Sequence, residues 1–182
     1  VGVINADSGL YSTDYRSSER IFSLITQVVG RSGRSEKTGR AYIQTFEPDN
    51  AVIRFAASQD YKAFYQDEIQ TRKMLTYPPF CDICMLGFSG VNEKAVRNAA
   101  NQAMEILRQE AFKTPNLTLK VLGVTPANIF KISNKYRYRI LMKCKMNQAF
   151  KEFLSRVLKE CVKERWMQNI SIFADINGDI NT

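Results

Sequence analysis

Apolar positions in this chain follow two rhythms, one of period three to four and one of period two. Ile21, Leu24, Ile25 and Val28 recur at i, i+3, i+4 and i+7, which places them on one helix face. Residues 2–6 ahead of that helix read as a buried strand ending at Asp7, and residues 41–46 alternate as a short strand that Pro48 stops. Strand, helix and strand with short connections predict an α/β unit with a parallel sheet. The helix is expected to end at Gly30, with Gly39 closing the excursion that follows. Residues 51–58 predict a short helix. Tyr61, Phe64, Tyr65, Glu68, Ile69 and Arg72 predict another, stopped by Pro78-Pro79.

Beyond the prolines the pattern reads strand 82–89, helix 92–112, strand 117–124, strand 129–132 turning into 136–144, helix 147–164 and strand 170–176. Val96, Ala99, Ala100, Ala103 and Leu107 share one side of the first helix, and Phe150, Phe153, Leu154, Val157, Leu158 and Cys161 form a stripe on the second. The β-α-β-β-α-β order predicts a ferredoxin-like plait, with helices on one face of a four-stranded sheet. The expected organisation is therefore α/β followed by α+β. Residues 1–58 form the first part, 59–77 a connecting helix and 78–182 a second domain.

The hairpin around Ser133-Asn134 carries the main physical signal of that second domain. Lys131, Lys135, Arg137, Arg139, Lys143 and Lys145 have odd numbers; Ile132, Tyr136, Tyr138, Ile140, Met142 and Cys144 have even ones. Strand side chains alternate faces, so the parity predicts one open cationic face and one apolar face, with Tyr136 and Tyr138 in the core. A solvated strand face is the plain reading of such a charge run. Solvated faces usually mix signs, however, and neighbouring like charges repel unless a polyanion relieves them. The six cations are therefore candidates for contact with nucleic-acid phosphates or with an acidic partner.

Charge along the chain sharpens this. The 182 residues carry a formal charge of +8, yet residues 1–111 balance 13 Lys/Arg against 13 Asp/Glu. Residues 112–182 hold the other 13 basic groups and only 5 acidic ones, and residues 112–151 contain nine cations and no acid. That is a polyanion-facing composition. There is no histidine, so no Ser-His or Cys-His catalytic pair exists. Cys81 and Cys84 form a C-x-x-C, but no second close pair follows; small core thiols are expected rather than a metal or redox site. No apolar run is long enough to span a membrane, and the opening residues lack a signal peptide's basic start. The chain begins in what reads as mid-strand without an initiator methionine, so a piece of a larger protein is expected.

Gln27-Val28-Val29-Gly30-Arg31-Ser32-Gly33-Arg34 follows the first helix. Two arginines, each preceded by glycine, suit a tight turn whose guanidinium forks can reach a phosphate, although a Gly/Arg-rich surface turn fits the spacing equally. This Q-x-x-G-R-x-G-R string resembles the last motif of superfamily 2 helicases, whose arginines face the γ-phosphate of ATP. The run from Asp7 to Arg20, with Ile43-Gln44-Thr45, Pro48-Asp49, residues 60–65, Tyr77-Pro78-Pro79-Phe80, residues 136–143 and residues 172–176, is similar to the primosomal protein N′ family of bacterial replication-restart helicases.

That resemblance implies an ATP-dependent 3′-to-5′ DNA helicase that recognises stalled or branched forks and restarts replication by primosome assembly. It implies the tail of a RecA-like motor lobe in the first part, with Gln27, Arg31 and Arg34 in the nucleotide-sensing motif. For the C-terminal domain it implies contact with forked and single-stranded DNA, the acidic tail of the single-stranded-DNA-binding protein and other primosome proteins. The implied location is the bacterial cytoplasm, at the nucleoid. ATP and Mg2+ would be held mainly by a lobe outside this chain, and the family's zinc cysteines lie upstream, apart from Cys81. This chain has no G-x-x-x-x-G-K-[ST] loop and is expected to lack ATPase activity alone. Its ending, Asp175-Ile176-Asn177-Gly178, departs from the Asp-Val-Asp-Pro type. The alternative is a protein-interaction module whose basic face binds an acidic peptide without touching DNA.

Overall fold

Helix α1, Ser17–Arg31, is the spine of the first of two units, Val1–Leu75 and Thr76–Thr182, in a computed structural model that describes residues 1–12, 14–32 and 40–178. Its buried stripe is Ile21, Phe22 and Ile25, packed with Ile53 and Ala56 of α2 (Ala51–Ala57) and Phe64 of α3 (Tyr61–Leu75). The rings of Phe22 and Phe64 stack with centroids 4.2 Å apart. Leu24, expected on the apolar face, is 58% exposed, because Phe22 takes the inward position and rotates the stripe. The helix also runs past Gly30. The Ser32 amide and hydroxyl both donate to the Val29 carbonyl, at 3.0 and 2.7 Å, and close it after Arg31.

Strands β1 (Gly2–Val3) and β2 (Tyr42–Ile43) pair in parallel, Gly2 with Tyr42 and Val3 with Ile43. Both are shorter than their patterns predict. Asn5 adopts φ 55°, and residues 6–9 coil into a 3-10 turn that ends β1 early. The turn aims Asp7 at β2's exit, where it accepts from the Thr45 hydroxyl (2.5 Å) and the Phe46 amide (2.9 Å). The Thr45 hydroxyl, joined by the Phe46 amide, holds the Asp7 carboxyl below the usual carboxylate range despite burial. Helix α3, expected as a connector, contributes Phe64 to this unit's core.

The second unit runs β3 (Asp82–Gly90), α4 (Glu93–Phe112), β4 (Leu119–Ile132), β5 (Lys135–Cys144), α5 (Gln148–Lys163) and β6 (Ser171–Ile176). Its sheet has the order β4-β5-β3-β6, with every pair antiparallel. The two strands expected at 117–124 and 129–132 are one long β4, broken by register shifts at residues 121–124 and 126–131. Leu86 and Phe88 of β3 and Ile140 and Met142 of β5 meet Leu107 of α4 and Phe150, Phe153 and Val157 of α5 in one core. Asparagines start the helices: Asn92 accepts from the Ala95 amide at 3.0 Å and Asn147 from the Phe150 amide at 2.9 Å. Gly87 sits beneath the Phe173 ring on the other sheet face, where a Cβ would come within 2.2 Å of ring carbon.

Candidate nucleic-acid interface

Lys135, Arg137, Arg139 and Lys143 share one face of β5, away from the Tyr138, Ile140, Met142 and Cys144 side chains that enter the core. Residues two apart on a strand lie roughly 6.5–7 Å from each other, so Lys135, Arg137 and Arg139 follow at that spacing and Lys143 stands two such steps beyond Arg139, past Leu141. The register adds one that parity alone did not find. Lys120 of β4 stands directly opposite Lys143 and therefore on the same face.

Two predicted members depart from the open row. Lys131 pairs with Tyr136 across the ladder, so it lies on the Tyr136 side and not with Arg137. A two-residue turn joins Ile132 to Lys135, and partners across it have opposite parity, which the odd-number rule overlooked. Arg139 lies on the expected face but is only 5% exposed. The chain bulges between Pro126 and Lys131, bringing Ala127 under cover and Asn128 over the strand, where Asn128 Oδ1 accepts from Arg139 Nη2 at 2.8 Å. Burial, with neighbouring Arg137, pulls the Arg139 pKa down. Lys145 follows the end of β5 and is exposed.

Lys143 Nζ lies 3.6 Å from the centre of the Tyr77 ring. Burial lowers its pKa and Lys120 acts in the same direction, while Cys81 opposes them. One acid shares this sheet face: Asp175 of β6 pairs with Met85, which pairs with Leu141 of β5. Of the tyrosines assigned to the core, Tyr138 is buried and donates to Glu93 at 3.3 Å, whereas Tyr136 is half-buried at the hairpin end.

In the first unit, Gln27 and Arg31 are exposed one turn apart at the C-terminal end of α1, where both can face one ligand. Gly33, Arg34 and Gly39 lie outside the described residues. Upstream, Asp14 is buried and pairs with Arg20 at 2.9 Å. The Tyr15 ring has Arg16 and Arg72 guanidinium carbons 5.0 and 5.2 Å from its centre. Cys84, Cys144 and Cys161 are buried core thiols and Cys81 is half-buried. Among the described residues no group of three or more Cys, Asp or Glu could hold a metal ion, and no helix is long and apolar enough to cross a membrane.

These features define a mixed α/β chain whose second unit presents cations on one face of an antiparallel sheet. Residues 73–178 match the family described as the primosomal protein N C-terminal domain, and the chain belongs to that family. A relative from Chlamydia pneumoniae, "Replication restart protein PriA", is 43% identical over 141 residues, covering 78% of this chain and 18% of the relative. Relatives of the same name are 40% identical in Synechocystis (79% of this chain, 17% of the relative) and 34% identical in Bacillus subtilis (97% and 22%). The chain thus spans about a fifth of the length of these curated relatives.

Proposed function

We propose that this chain acts in replication restart as the C-terminal part of an ATP-dependent 3′-to-5′ DNA helicase that recognises stalled or branched forks and promotes primosome assembly. The names of the relatives support the restart role. The strand order β4-β5-β3-β6 supports a ferredoxin-like second domain, and the parallel β1–β2 pair with α1 supports the tail of a RecA-like lobe. In that lobe Gln27 and Arg31, with Arg34, would face the phosphates of ATP. Bound ATP and Mg2+ would supply the hydrolysis that drives strand movement. Domain limits at 1–58, 59–77 and 78–182 belong to the same reading.

The observation that carries DNA contact is the row Lys135, Arg137 and Lys143 with Lys120 across from Lys143, in a segment without acids from 112 to 151. Exposed Lys145 follows the row past the end of β5, Lys131 stands on the opposite face beside Tyr136, and Arg139 lies on the row's face under the β4 bulge. Neutralising about four phosphates gives a slope of log affinity against log salt of roughly −3 to −4. Titrating labelled forked DNA at several salt concentrations tests this; an affinity indifferent to salt overturns it. No ATP hydrolysis is expected from this chain alone.

The second reading is an acidic peptide, such as the tail of the single-stranded-DNA-binding protein, on the same cations. Lys135→Glu with Arg137→Glu separates the two. Loss of peptide binding with DNA binding intact favours the peptide. Arg139 is unsuited to this test because it is buried.

A further inference from the structure

The outer end of the β4–β5 hairpin carries groups that phosphate contact alone does not require. Ser133 and Asn134 turn the chain with φ 48° and 62°, the left-handed pair of a two-residue hairpin turn. Near that turn, Ile129 and Ile132 are 53% and 43% exposed. The register pairs Ile132 with Lys135 on one face and Lys131 with Tyr136 on the other. Each face of the tip therefore joins a cation to an apolar or aromatic group. The Tyr136 ring meets Phe130 edge-on, with centroids 5.5 Å apart, and Lys131 Nζ lies 4.5 Å from its centre and 3.3 Å from its hydroxyl.

We propose that this tip holds unpaired nucleotides of a single strand. Bases lie against Tyr136, Ile132 and Ile129, while Lys131, Lys135 and Arg137 take the phosphates. Lys131 covers the ring in the free chain. A phosphate draws its ammonium outward and frees the π-face for a base, exchanging a weak exposed cation–π contact for an ion pair and a stacked base. The carboxylates of an acidic peptide would engage the cations alone, whereas a nucleotide brings a phosphate and a flat base together. The inference rests on the DNA-binding reading above and goes beyond it by assigning base contact to one element.

The test is fluorescence anisotropy of the whole chain with a labelled oligothymidylate and an abasic strand of equal length and charge. The base-bearing strand is expected to bind about tenfold more tightly. Ile129→Ser with Ile132→Ser, both at exposed positions, should erase that difference while leaving abasic affinity unchanged; Tyr136→Leu should do the same, with circular dichroism confirming the fold. Equal affinity for the two strands overturns the inference but leaves DNA binding standing. A preference that survives in both variants overturns it as well, since the bases are then read elsewhere. If neither strand binds while an acidic peptide does, the DNA-binding reading itself falls.

Discussion

Lys131 lies directly across the β4–β5 ladder from Tyr136, its ammonium 4.5 Å from the centre of that ring. This one pairing divides the hairpin's cations between two faces. It leaves the row on the Arg137 side to Lys135, Arg137 and Lys143, with Lys120 joining from β4.

Lys120 and Lys143 face each other as like charges. Lys120→Glu is expected to stabilise the second unit by roughly 0.2–1 kcal/mol while weakening binding to DNA. Urea unfolding and anisotropy, run on the same preparation, check the two opposite signs.

Gly87 exists to admit the Phe173 ring. Gly87→Ala should destabilise the second unit by about 1–3 kcal/mol, and Phe173→Leu in the same chain should recover part of the loss. A double-mutant cycle in urea reads the coupling; strictly additive losses would refute the contact.

Thiol labelling should separate the cysteines. Burial pushes Cys84 and Cys144 up to about 12 and Cys161 up to about 11. One thiol per native chain, Cys81, is expected to react with Ellman's reagent at about pH 8, slowly because burial raises its pKa too, and all four in denaturant.

Acid should weaken both units. Thr45 holds Asp7 below its ordinary 3.8, and Lys113, with Arg156, holds Glu110 below its ordinary 4.5. Each folded carboxyl binds its proton less readily than in the unfolded chain, so its contribution is complete above those values and is lost as pH falls through the lower, folded ones. Thermal unfolding should hold steady from about pH 7 to 5 and then decline. Glu110→Gln should be less stable at neutral pH and decline less steeply.

Much of the fold was legible because its elements are locally declared. Asn92 and Asn147 mark helix starts, and Phe150, Phe153 and Val157 recur at the helix period, so these boundaries lie within a residue or two of the structure. What escaped depends on partners distant in sequence. Leu24 fits the apolar period, but Phe22 takes the place against Phe64. Asn177, in an ending that looked only atypical, ties β6 to β3. Its side chain accepts from the Ile83 amide at 2.9 Å and donates to Asp82 at 2.9 Å, and its own amide donates to the Ile83 carbonyl at 2.7 Å. A left-handed φ of 53° is a conformation asparagine tolerates, but nothing in the local pattern announces the contact.

The candidate site divides along the same line. By itself the chain's order of residues determined that cations gather after residue 112 without acids, that β5 alternates charged and apolar groups, and that a tight turn sits at Ser133-Asn134. Alternation within one strand is a local property of the extended backbone. Tertiary structure alone decided that Lys131 turns to Tyr136, that Lys120 joins Lys143, and that a bulge in β4 covers Arg139. Register and bulges are set by how two strands meet across the sheet, and a shift of one residue moves a side chain to the opposite face.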